Sequence, residues 1–172
     1  MKRMSTIFSA LVIGTALFSF IQKDKSTVIY WSEERLLTWE DFQGKKKQLE
    51  KLRKSGKNKN VIASCDSRIE YNLAKNMETG KDEVRAVFHK KTSLKGPSGR
   101  LNELLLKHEQ YHFNITELYV RKFRASIHDK KDTLQYESFS NILYQFKMEI
   151  REFQKEYHNT TQHSSNNRGQ IK

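Results

Sequence analysis

Over residues 61–73, and again over 84–88, the apolar positions recur at every second residue. Val61, Ala63, Cys65, Ser67, Ile69, Tyr71 and Leu73 alternate with more polar neighbours, the period-two signature of a strand. Val84, Ala86 and Phe88 repeat the pattern after a polar turn, Lys75 to Asp82, that contains Gly80. Two such runs on either side of a turn predict an antiparallel hairpin. Gly96-Pro97-Ser98-Gly99 then breaks the chain, and the period lengthens. Leu101, Leu104, Leu105, His108, His112, Ile115 and Tyr119 share one face of a helix predicted from Arg100 to about Ala125. A second helix opens at Asp132, with Gln135 three residues on as a capping-box variant. Its inner face is Phe139, Ile142, Leu143, Phe146, Ile150, Phe153 and Tyr157, with a polar tail from Asn159 to Lys172 that composition alone reads as disordered. Upstream, Val28-Ile29-Tyr30-Trp31 predicts a short strand, and Leu36 to Phe42, rich in aromatics, a segment packed on the main body. The pattern as a whole predicts an α+β fold: a small antiparallel sheet packed with two long helices, in a single domain over residues 27–172.

Residues 1–22 stand apart. Lys2 and Arg3 precede an uncharged apolar stretch from Ile7 to Ile21, which Lys23, Asp24 and Lys25 end sharply. The stretch falls short of the about 20 apolar residues of a membrane-spanning helix and suits the apolar region of an export signal. Only Ala16 to Ser19 approaches a small-x-small cleavage site, so residues 1–22 are expected to act as a signal peptide or, uncleaved, as an N-terminal membrane anchor. The protein is accordingly expected in the periplasm or outside the cell.

The 172 residues carry a formal charge of +12, with 30% charged residues. Such basicity favours anionic partners, an anionic cell-envelope polymer among them, and says nothing of fold. Lys2 and Arg3 are the only charges in the first 22 residues, so the excess belongs to the domain. The Lys-rich run from Gly44 to Asn60 reads as a solvated loop or short exposed helix. It contains no aromatic residue, which argues against specific nucleic-acid recognition. One cysteine, Cys65, excludes an intrachain disulfide and a Cys-based zinc cluster. Inside an alternating run it is expected to serve as a small buried hydrophobe.

The candidate chemistry lies in His108-Glu109-Gln110-Tyr111-His112. Residues i and i+4 of a helix lie about 40° apart around its axis, so both imidazoles point the same way and can bind one Zn²⁺. Glu109 is turned about 100° from His108, too far to be a ligand yet near enough to act as general base toward a zinc-bound water. The alternative is two core-facing histidines satisfied by hydrogen bonds. Catalytic zinc usually has three protein ligands and an open position. Glu117 is rotated away from His112; Glu149, among the apolar residues of the second helix, and His163, in the tail, are the better candidates. His89 and His128 border turns and His158 ends the second helix, which makes them weaker ones.

Four segments resemble a family of small exported bacterial proteins described as secreted zinc-dependent proteases, also known as a domain of unknown function. They are Leu37 to Gly44, similar to an opening Leu-x-Trp-x-Asp-Phe-x-Gly; the strand with Ala63 to Tyr71; the helix from His108 to Arg121; and Tyr157 to Gln170, similar to a closing Tyr-Asp-x-x-Thr-x-His-Gly. In this last segment Thr161 and His163 fall on the family's threonine and histidine. The resemblance implies His163 as the third zinc ligand beside His108 and His112, with Glu149 in reserve. Tyr157 would then hydrogen-bond the oxyanion or orient a ligand, or simply close the core of its helix. His158 stands where the family has Asp, and Ser164 where it has Gly. The expected fold is zincin-like in logic, and the expected function is zinc-dependent hydrolysis of peptide or protein substrates. A zinc amidase acting on cell-wall peptides would use the same groups. A non-catalytic envelope binding protein, with structural or absent metal, is the rival of a different class, and polyanion binding through the Lys45–Lys59 run is a third reading.

Overall fold

The computed structural model describes residues 26–55, 60–71, 84–128 and 136–161. The export segment, the Lys75–Asp82 turn, the Asp132 cap and the tail with His163 and Ser164 lie outside the described residues. Among the described residues no helix is long and apolar enough to cross a membrane.

The fold is α+β. Strands β1 (Val28–Tyr30), β3 (Ser67–Tyr71) and β4 (Val84–His89) form an antiparallel sheet of order β1-β4-β3. β4 is central: its Phe88 pairs with Ile29 on one side and Ser67 on the other. Two short strands, β2 (Ala63–Ser64) and β5 (Leu94–Lys95), form a separate antiparallel pair. The Lys-rich run forms helix α1 (Lys46–Lys54), with only Leu49 buried, so its lysines stay in water as expected of a solvated element, while the Arg53 guanidinium donates to the Val61 carbonyl at 2.8 Å. The two long helices are α2 (Glu103–His128) and α3 (Tyr136–Thr161).

The alternating run that predicts one strand over Val61–Leu73 is broken at Cys65 and Asp66, and the break is tertiary in origin. The Asp66 carboxylate accepts from the Arg68 guanidinium and the Thr92 hydroxyl, while its N–H donates to Ser93 Oγ at 2.9 Å and its carbonyl accepts from the His89 N–H at 2.9 Å. Burial pushes the Asp66 carboxyl up, but those two partners outweigh it and hold the group below the usual carboxylate range. With its backbone turned there, the run splits between two sheets, and its first half is free to lie beside α2.

Helix α2 packs against β3 and β4 on one side and α3 on the other. It therefore buries far more than the single face its apolar periodicity predicts, Phe113, Thr116, Val120 and Phe123 being fully enclosed. Asn102 caps its start by accepting the Leu105 N–H at 2.8 Å. A chain of rings runs from Trp39 through Phe42 and Phe88 to Phe113, with centroids 5.1–5.8 Å apart, and Phe123 and Phe139 pack edge-to-face at 5.4 Å. Such contacts add about 0.5–1.5 kcal/mol each beyond area burial.

The N-terminal segment is held on α2 by polar bonds as well. Gln110 Oε1 accepts the Leu37 N–H at 2.7 Å, and Asn114 Oδ1 accepts from both Gln110 Nε2 and Trp31 Nε1. Gly44 approaches the β5 end so closely that a Cβ would lie 2.7 Å from the Ser93 carbonyl oxygen, a contact only glycine permits. Helix α2 is thereby fixed from three sides, with the His108–His112 stretch at the start of its most buried part, residues 108–120.

Candidate metal centre

His108 and His112 project from the same face of α2, one turn apart, as their spacing requires. Their Nε2 atoms face each other at 3.1 Å, and both side chains are almost fully buried, at 1% and 5% exposure. His158 of α3 completes the group: one ring nitrogen from each of the three histidines lies within 4.8 Å of the others. The His158 ring lies 4.3 Å from that of His112 and 5.3 Å from that of His108.

The far nitrogens of the first two rings are engaged. Gln154 Nε2 donates to the His112 backbone carbonyl at 2.9 Å, which turns the amide oxygen toward His112 Nδ1, whose N–H it accepts. Thr161 donates its hydroxyl to the Tyr157 carbonyl at 2.7 Å and meets His108 Nδ1 at 3.4 Å with its lone pair. With Nδ1 as the donor, each neutral ring would offer its Nε2 lone pair to an ion held between them.

Glu109 lies beside this group, 3% exposed, with Oε2 accepting the Cys65 N–H at 2.7 Å. Burial pushes its carboxyl up to about 8, against the pull of that N–H. Burial, with Glu109 nearby, also pushes the Cys65 thiol well above its usual range, so Cys65 contributes its backbone and not a reactive thiolate.

A cleft of about 530 Å³ opens onto these groups. Its lining comes from the Asn60–Cys65 stretch, from Leu105, His108, Glu109 and His112 of α2, and from Ile150, Arg151, Gln154 and His158 of α3. The volume is in the range of about 300–1,000 Å³ typical of small-ligand sites.

The sequence-predicted residues fare differently. His108, Glu109 and His112 are brought together. His163 lies outside the described residues. Glu149 does not face the imidazoles: it is exposed and lines a separate shallow depression with Tyr119, Glu152 and Phe153. The reason is rotational. Phe153, expected to face inward, is 40% exposed, and near its C-terminus α3 instead turns Ile150, Gln154 and His158 toward the cleft. Glu117 is buried away from the histidines against Arg121, at 2.9 Å, and Arg124. Tyr157 is not among the residues lining the cleft. Its ring stacks on His108 at 4.8 Å and meets His112 edge-on at 5.0 Å, and its buried hydroxyl makes no hydrogen bond among the described residues. Burial, followed by the neighbouring Tyr111 and Glu109, pushes that hydroxyl well above the usual phenol range. Its ring braces the two imidazoles.

Sequence reasoning ranked His158 low and passed over Gln154. A signal was present: Gln154, His158 and Thr161, four and three residues apart, form a polar stripe on one helical face. No family profile, no curated protein and no solved structure matches this chain.

Proposed function

We propose that His108, His112 and His158 bind one zinc ion and that the protein is a zinc-dependent peptide hydrolase with Glu109 as its proton acceptor. The observation that carries this reading is the convergence of three imidazoles beside a buried carboxyl on an open cleft. A tetrahedral ion with Zn–N bonds of about 2.0–2.1 Å sets its ligands about 3.3 Å apart, close to the 3.1 Å between the two Nε2 atoms. Three neutral nitrogen donors suit zinc. Three protein ligands also leave the open position that distinguishes catalytic from structural sites. The helix-borne pair with its adjacent glutamate is zincin-like in logic.

Zinc bound there supplies a Lewis acid for a peptide carbonyl and lowers the pKa of water. With a cation bound beside it, which favours the ionised carboxylate against the effect of burial, Glu109 would take a proton from water and return it to the leaving nitrogen. The Cys65 N–H holds Oε2 and so leaves Oε1 for that transfer. Gln154 keeps His112 in the Nδ1–H tautomer, and Tyr157 keeps the His108 ring flat against its own. With residues 1–22 read as an export signal or anchor, the reaction would take place in the periplasm or outside the cell.

The test is exposure of reduced, unfolded casein to the zinc-loaded full chain, with new termini read by mass spectrometry. Cleavage that stops with a zinc chelator and returns with added zinc is expected. Cleavage confined to cell-wall stem peptides would make the protein a zinc amidase, and no cleavage of either would leave a non-catalytic envelope binding protein. Gln154→Leu is expected to weaken zinc about 10–100-fold, the cost of losing a partner that orients a ligand. Competition with a chromogenic chelator measures this, and an unchanged affinity would remove Gln154 from the site.

A further inference from the structure

Arg151 is the one Lys or Arg among the described residues lining the cleft. Arg35, Arg68, Arg121 and Arg124 are each paired with a carboxylate, whereas Arg151 pairs with none among the described residues. Its own helix offers no partner: the positions three and four residues away are Lys147, Met148, Gln154 and Lys155. The one acid among the described residues lining the cleft, Glu109, is already bonded to the Cys65 N–H. A guanidinium on a cleft wall that carries no free carboxylate among the described residues, flanked on its own helix by Lys147 and Lys155, favours a planar anion that it can grip through two N–H groups.

Its place sets a distance. Arg151, Gln154 and His158 share a face of α3, and seven helical residues put Arg151 about 10 Å along the axis from His158. An extended peptide rises about 3.3 Å per residue, so that gap spans about three residues. Resting on the hydrolase reading for its reference point, we propose that Arg151 anchors a substrate carboxylate two or three residues from the scissile bond. The substrates are then peptides with an acidic side chain, or a free C-terminus, at that distance.

Binding tests this without turnover. The full chain carrying Glu109→Gln is titrated by fluorescence anisotropy with pools of labelled hexapeptides of neutral residues. Each pool holds one Glu, one Lys or neither, and is made with both free-acid and amidated C-termini. Carboxylate-bearing pools are expected to bind at least about ten-fold more tightly than the neutral amidated pool, a gap of about 1.4 kcal/mol. A gain from Glu at one position in amidated pools identifies a side chain; a gain from the free acid alone identifies the C-terminus. Arg151→Ala should erase the preference and Arg151→Glu should turn it toward the Lys pools. A preference that survives Arg151→Ala, or no preference, or no binding, overturns the proposal. Zinc content and casein cleavage of a preparation that keeps Glu109 report separately on the hydrolase reading, so either can fail alone. Arg151 is exposed, and equal melting temperatures of the variants confirm that they fold.

Discussion

Glu109→Gln is expected to lower peptide hydrolysis by about 10²–10⁴-fold, the usual contribution of a positioned general base, while zinc stays bound. The substitution changes almost nothing but the proton chemistry. Gln has the shape of Glu, and its amide oxygen can accept the same Cys65 N–H that Oε2 accepts at 2.7 Å. It introduces no charge at a site only 3% exposed. None of the imidazole hydrogen bonds described above involves Glu109. The measurement is kcat/KM on a casein-derived peptide beside zinc content and melting temperature in the same preparation. Activity within a few fold of wild type would remove Glu109 from the reaction. Loss of zinc together with activity would make it a supporting residue of the metal site.

The second large effect is on the metal itself. His112→Ala removes the ring that faces His108 Nε2 at 3.1 Å and that lies nearest His158. Two imidazoles on different helices then remain, and zinc affinity is expected to fall at least about 100-fold, the same order as the strongest losses seen when a ligand's support is removed. Stability reports the same loss. A ligand present at 100 times its Kd stabilises the folded state by about 2.7 kcal/mol, so wild-type protein should melt several degrees higher with zinc than with chelator, and His112→Ala should not. The metal-free variant should also lose about 0.5–1.5 kcal/mol, because the part-buried Gln154 amide oxygen loses its donor. A zinc-dependent rise in melting temperature that persists in His112→Ala would place the ion elsewhere.

What could be read from the chain was set by local periodicity. The alternation around Ile69 and Phe88 predicts the β3–β4 pairing, and the three-to-four spacing predicts both long helices, because these patterns depend on residues close in sequence. The His108–His112 pair was legible for the same reason: both ligands sit on one element, one turn apart. The break at Asp66 was not legible, since its cause is Thr92 and Ser93, far along the chain. Nor was the third imidazole. His158 reaches the pair because the C-terminal part of α3, which runs to Thr161, packs against α2. The polar residues Asn159 to Thr161 gave no apolar period to extend. The drift that exposes Phe153 and turns Gln154 inward follows from how the two helices meet, which no spacing within α3 encodes; it is also why Glu149 faces out. His163, favoured by the resemblance, falls outside the described residues.

The central claim is that three imidazoles of this chain hold one zinc ion. Elemental analysis of the purified full chain, after zinc supplementation and removal of free metal, tests it most directly, with His158→Ala and His163→Ala measured in parallel. One zinc per wild-type chain, retained in His163→Ala and lost or weakened in His158→Ala, is the predicted result. Zinc at full occupancy in His158→Ala would contradict the proposed ligand set, and no zinc in the wild-type chain would contradict the metal centre altogether.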